Sequence, residues 1–412
     1  MRKKMNALHK WTFKTRFRSR AYGWRASALA SKRLKEAVRE IERAAKSDPV
    51  LAGDGVVTLL ERVWPSLQDI DTSSGTLGST VNHTLEELIP VLVDAPADLP
   101  TRQKWLDRLY NAVVEDGVGY LSPVEDRWGD ICVFPELANH WADHLIPAVQ
   151  EGWKGNQKGA WVVGATLCLS CLVKTKRFHE LQGLLSLRSV RFWHFDKFWA
   201  EALARQGQFD EAIVYAEGCR SDQYRSYDEI TRFCERILLE AGRRDEAYRR
   251  YGLVAAAATT NLAVFKETAR KYPEREPRQV ILDLIKARRD KGKWFAAAKD
   301  AGFLDLALEC ARSSSADPST LIRAARDFLD KDPKFAAQVA LHALDHLLAG
   351  GGYNPKTIES LYAYEHLMAA ANKLGHREWA RAKVQEILAR GCPPDRNDMR
   401  RAVLSHLQLE GR

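Results

Sequence analysis

The sequence predicts an all-α protein: a right-handed α-solenoid of helical hairpins preceded by a basic N-terminal arm. Three observations carry this expectation. Apolar residues recur at three- and four-residue spacing nearly everywhere from Leu34 onward, the period of a helix with one buried face. Similar Gly-containing turns recur in the second half, the best two of them about 35 residues apart. Charge is segregated: residues 1–35 hold twelve Lys or Arg and no acid, and the first carboxylate is Glu36. Subtracting those twelve from the net charge of +9 leaves −3 for the rest, so a mildly acidic body carries a strongly cationic segment.

The elements follow in order. Residues 1–35 form the arm. Between Trp11 and Arg20, Trp11, Phe13, Thr15, Phe17 and Ser19 alternate with Thr12, Lys14, Arg16, Arg18 and Arg20, which gives an extended chain one aromatic and one cationic face. A helical reading also fits, with Phe13, Phe17, Ala21, Trp24 and Ala28 on one stripe. Residues 36–152 are expected to be an irregular helical region, capping or HEAT-like, with helices near 31–47, 49–64, 78–94, 100–115 and 135–150 and a polar loop from Asp71 to Ser79. Asp48-Pro49, Asp317-Pro318 and Asp332-Pro333 each place a capping carboxylate before a proline whose missing N–H costs nothing at the first helical position.

Residues 153–391 carry the hairpins. Gly207-Gln208-Phe209-Asp210-Glu211-Ala212 closes one helix and opens another. Gly242 to Ala247, Gly302 to Ala307 and Gly375 to Ala380 repeat the pattern. Gly takes the left-handed conformation that ends a helix, and the small Ala allows close approach of the next. Weaker turns fit at Phe178-His179-Glu180-Leu181, near Gln279 and near Phe335. The pattern resembles the tetratricopeptide repeat, through Gly207, Phe209, Ala212 and Tyr215 in the best copy and Gly242, Ala247 and Tyr251 in the next. That resemblance implies stacked hairpins that bind a protein or peptide. Residues 392–412 are expected to supply a C-terminal capping helix, because each repeat leaves an apolar face open.

Bulk properties exclude some classes. No run of 18 apolar residues and no secretory h-region are present. The seven cysteines are odd in number and mostly lie in helical patterns, which reads as reduced thiols in a cytoplasmic compartment. An Arg- and Ser-rich start without acids also matches an organelle transit peptide, although its aromatics and the lack of an evident cleavage boundary speak against one.

Candidate chemistry is sparse. His140, Asp143 and His144, and likewise His342, Asp345 and His346, form HxxDH segments that set two imidazoles and a carboxylate on one helix face, as a zinc or iron site would need. An ordinary half-exposed helix face is the preferred reading of both. Cys168 and Cys171 form a CxxC inside an apolar helix without further zinc ligands, as buried thiols would. No phosphate-binding loop, dinucleotide fingerprint or nucleophile elbow appears. The twelve tryptophans are expected to be mostly core.

The expected function is therefore non-enzymatic binding or scaffolding without a cofactor. The hairpin surface would hold a protein or peptide, and the arm an anionic polymer, RNA or DNA being the best fit. Lys10, Lys14, Arg16, Arg18, Arg20 and Arg25 would meet phosphates, and Trp11, Phe13 and Phe17 would stack or anchor. A metal-dependent enzyme using an HxxDH face and a membrane-surface adaptor are the alternatives. A fold of this kind says little about oligomeric state or pathway.

Overall fold

The computed structural model describes residues 9–73, 75–154, 161–220 and 227–409, and these contain helices and turns but no strand. The chain divides into two compact units, Met1–Ile230 and Thr231–Arg412.

In the first unit a 3₁₀ turn, Thr12–Thr15, precedes helices Ser27–Ala45, Pro49–Leu67, Thr76–Asp94 and Leu99–Glu115. Helix Ser27–Ala45 packs on the next two, and Leu99–Glu115 packs on Pro49–Leu67. Two short helices, Ser122–Asp126 and Trp128–Cys132, lead into Pro135–Lys154. Hairpins Ala165–Lys174 with Phe178–Ser186 and Trp193–Arg205 with Phe209–Glu217 follow. Asp48 and Asp98 cap as their Asp-Pro or Asp-Leu-Pro context suggests, accepting from the N–H groups of Leu51 and Thr101 at 2.9 and 3.0 Å. Arg102 is fully buried, yet it donates to the carbonyls of Leu92 and Ala95, both at 2.6 Å. It thereby satisfies orphan acceptors at the end of Thr76–Asp94.

The arm belongs to this core. Trp11, Phe13, Phe17 and Tyr22 are buried in the same apolar cluster as Leu34, Val56, Leu59 and Leu60. Gly55 makes room for Trp11, since a methyl there would sit 2.4 Å from the indole Cζ2. Neither sequence-based picture of the arm holds. The chain is a 3₁₀ turn and bends rather than a strand, and Trp24, on the expected helical stripe, is 66% exposed.

Helix Tyr227–Glu240 spans the boundary between the units. The second unit continues with Arg244–Ala247, extended by a π turn at Tyr248–Gly252. Its hairpins are Asn261–Lys271 with Pro277–Arg288, Phe295–Asp300 with Leu304–Ala311, Pro318–Phe328 with Pro333–Leu348, and Thr357–Leu374 with Arg377–Ala389. Helix Asn397–Leu409 ends the described chain and packs on the last hairpin through Met399, Val403 and Leu407. The expected Asp317 and Asp332 caps form, each at 2.9 Å.

The hairpin turns share one geometry. Gly207, Gly242, Gly302 and Gly375 all have φ between 69° and 88°. The next residue donates its N–H back to a carbonyl five positions earlier, as in Gln208 to Leu203 at 3.0 Å and Phe303 to Ala298 at 2.9 Å. This satisfies the last turn of the first helix. Lys176 does the same without glycine, at φ 58°, with Arg177 donating to Leu172 at 2.9 Å.

The two features give separate expectations. Phe17→Ala should destabilise the first unit by about 3 to 5 kcal/mol, read as an earlier unfolding midpoint in urea. An unchanged midpoint would mean that the arm is not part of the core. Nothing crowds a side chain at Gly302, so Gly302→Ala should cost about 1 to 2 kcal/mol through backbone strain alone, whereas Lys176→Gly should not destabilise.

Candidate anion-binding surface

Helix Ser27–Ala45 is amphipathic in a way that decides where the cations lie. Ala30, Leu34, Ala37, Val38 and Ile41 form its buried face. Lys32, Lys35, Arg39 and Arg43, with Lys46 just beyond, are exposed on the opposite face. Their spacings of three and four residues make one stripe along the helix. None of the five has an ion pair or side-chain hydrogen bond among the described residues.

The arm is pinned along the flank of this stripe by Glu36 and Glu40. Glu40 accepts from the N–H of Thr12 at 2.7 Å, from its hydroxyl at 2.5 Å and from the N–H of Phe13 at 3.3 Å. One carboxylate thus caps the 3₁₀ turn. Glu36 pairs with Arg16 at 2.5 Å and with Arg33 at 2.7 Å. The Arg33 hydrogen bond and the charges of Arg33 and Arg16 hold the Glu36 carboxyl below its ordinary value. That contribution is present above the ordinary carboxylate pKa and is lost on acidification. The backbone N–H of Arg20 donates to Pro65 at 2.7 Å, and that of Asp71 to Trp24 at 3.0 Å.

The expected phosphate-binding residues therefore divide. Arg16 is engaged by Glu36, and Arg20 lies 4.0 Å from Asp69. Lys10, Lys14, Arg18 and Arg25 are exposed and have no ion pair among the described residues, Arg18 donating only to the carbonyl of Thr15 at 2.8 Å. Trp11, Phe13 and Phe17 are buried, so they anchor the arm and are not presented to stack on bases. Trp24 is the arm's exposed aromatic. The helical stripe from Lys32 to Lys46 was missed by the sequence reading, although its spacing is visible there.

The other candidate groups are placed as follows. Asp143 pairs with Arg177 at 2.6 Å, and Asp345 with Arg390 at 3.1 Å. His140 and His144 stack with ring centroids 6.4 Å apart, as do His342 and His346. The Nε2 of His346 is 2.7 Å from the carbonyl oxygen of Ala311. In both HxxDH segments the carboxylate is thus taken up by an arginine from elsewhere in the chain. Cys168 and Cys171 are buried in helix Ala165–Lys174, where burial pushes the Cys168 thiol up to about 12 and Cys171 well above its ordinary value. Such thiols are poor nucleophiles. Trp105, Trp128, Trp141, Trp193 and Trp294 are core as expected, but Trp161 is 59% exposed. No helix of the described residues is long and apolar enough to cross a membrane.

Removing the Glu40 carboxylate by Glu40→Ala leaves the Thr12 and Phe13 N–H groups unpaired. A loss of about 1 to 2 kcal/mol should open the arm about 5- to 30-fold more often. Limited trypsin digestion reads this as faster cleavage after Lys14, Arg16 and Arg18, and an unchanged cleavage rate would show that Glu40 does not hold the arm. No protein-family model, curated protein or solved structure matches this chain.

Proposed function

We propose that the protein is a non-enzymatic binding and scaffolding protein whose basic first helix and docked arm hold the backbone of a nucleic acid. The observation that carries this reading is the row of exposed cations without an ion pair among the described residues, Lys32, Lys35, Arg39, Arg43 and Lys46, bordered by Lys10, Lys14, Arg18 and Arg25. Cations in a row on a rigid helix match the regular charge of a phosphate backbone and gain from counterion release. With Trp11, Phe13 and Phe17 buried, recognition is of the backbone rather than of stacked bases.

The hairpins supply the second half of the role, a surface for a protein or peptide, in keeping with their resemblance to tetratricopeptide repeats. In the second unit a cleft of about 470 Å³ lies between helices Pro318–Phe328 and Thr357–Leu374, where Ile322, Arg323, Arg326, Glu359, Tyr362 and His366 meet. Tyr362 is 45% exposed in it. An aromatic anchor beside charged groups is the composition of a recognition groove.

Because the arm is core, deleting it would confuse binding with folding. The stripe is tested by Lys32→Glu, Lys35→Glu, Arg39→Glu and Arg43→Glu together, in a salt series with single- and double-stranded RNA and DNA. The variant should bind far more weakly, with the slope of log affinity against log salt flattened by about 0.7 to 0.9 per lost phosphate contact. Unchanged affinity and slope would refute the proposal.

A further inference from the structure

The first unit contains a second site of opposite character, independent of the basic surface. A cavity of about 490 Å³ opens between the loop following helix Leu99–Glu115, the short helix Ser122–Asp126, the segment Trp161–Gly164 and the start of helix Trp193–Arg205 at Phe192 and His194. Val114, Val118, Trp161 and Val163 all line it and are all at least half exposed. Four large apolar side chains exposed around one opening are what a monomer's surface rarely offers without an occupant.

Its polar groups are mostly engaged. Asp116 accepts from the N–H groups of Val118 and Leu121 at 3.2 and 2.6 Å, and so holds the loop. The Ser122 hydroxyl donates to the carbonyl of Gly119 at 2.9 Å. His194 lies 3.0 Å from the Thr166 hydroxyl, with its ring against Trp161 at 5.0 Å. Glu125 is different. It lines the cavity, is only 9% exposed, and its carboxyl has no hydrogen bond or ion pair among the described residues. A buried carboxyl without a partner is costly, and a ligand that supplies the partner recovers that cost.

The charges around it choose the ligand. Asp116 and Asp126 place further negative potential near Glu125, and Lys197 is paired with Asp126 at 2.7 Å. An anion would be repelled. A cation is favoured twice, by the carboxyl and by the exposed face of Trp161. We infer that this cavity binds an organic ammonium carried on an apolar stem, the charged nitrogen reaching Glu125 and the stem covering Val114, Val118, Trp161 and Val163. A free alkylamine and the side chain of a lysine in a peptide share this chemistry.

Protonation sharpens the expectation. Burial, then the charges of Asp126 and Asp116, push the Glu125 carboxyl up to about 7, against the pull of Lys197. Burial and the neighbouring Lys197 push His194 down to about 4, so its ring stays neutral and does not compete with a cation. Burial raises Tyr120 and Asp116 as well, the latter against its backbone hydrogen bonds. A cation favours the ionised Glu125, so affinity should rise with pH through 7.

Calorimetry on the full chain tests the inference with n-hexylamine, 1-hexanol, hexanoate and Nα-acetyl-lysine amide. Hexylamine should bind at pH 8 and more weakly at pH 6, releasing about half a proton at pH 7. Hexanol should bind weakly and hexanoate not at all. Glu125→Gln should weaken hexylamine about thirtyfold or more and leave hexanol unchanged. Trp161→Ala, at an exposed position that folding tolerates, should weaken both. Lysine amide binding beside hexylamine points to a peptide source, and its failure beside hexylamine to a free amine. Hexanol binding as tightly as hexylamine, or Glu125→Gln binding hexylamine as the wild type does, would overturn the inference.

Discussion

Burial of the arm's aromatic side chains against helices Ser27–Ala45 and Pro49–Leu67 is the interaction on which the first unit depends. Trp11, Phe13, Phe17 and Tyr22 together bring several hundred Å² of apolar surface into the core, about 150 to 250 Å² for each of the larger rings. At about 25 cal/mol per Å² this exceeds what any of the surrounding surface ion pairs contributes. A segment with many like charges would otherwise repel itself into solvent. Here the rings hold it down, and Glu36 and Glu40 neutralise only the part that touches the helix. The remaining cations are left facing outward on a fixed frame.

That arrangement bears on the proposed role, because immobilised charge binds a polymer at lower entropic cost than a loose tail does. The stripe from Lys32 to Lys46 is presented by a helix whose other face is locked into the core. The cavity around Glu125 makes the complementary point. Its loop is set by Asp116 and its wall by the adjacent, tilted rings of Trp161 and His194, beside a carboxyl that has no hydrogen bond or ion pair among the described residues. One unit thus offers a flat cationic face and a concave acidic recess, which suit different ligands.

The second half of the chain rests on a different device. The hairpin turns are closed by a left-handed residue and a long backbone bond, and the helices are then tied by hydroxyl–carboxylate bonds. Tyr215 donates to Asp196 at 2.6 Å, Tyr248 to Asp283 at 2.8 Å and Tyr272 to Glu235 at 2.7 Å. Each joins residues 19 to 37 positions apart and satisfies a carboxylate, buried at Asp196 and Glu235 and half-buried at Asp283.

Helix positions were legible in the sequence because they depend on local physics. The period of apolar residues, the Asp-Pro starts and the Gly turns act within a few residues, and the helices at 49–64, 78–94 and 100–115 were found within three residues of their ends. Lys176 escaped notice as a turn residue because nothing in lysine announces a left-handed backbone. The basic stripe was legible too, since spacing alone defines a helix face. The roles of Trp11, Phe13 and Phe17 were not. Whether an aromatic beside arginines faces a base or a core is set by what lies opposite, and that was the space left by Gly55 in another helix. Glu125 likewise reads as an ordinary loop acid until Trp161 and His194, dozens of residues away, close around it. The sequence by itself determined which segments are helical and where positive charge accumulates, because both follow from neighbours in the chain. Only the tertiary structure decided which of those side chains are anchors, which are free to meet a ligand and which carboxyl is left without a partner, because burial depends on contacts between segments far apart in the chain.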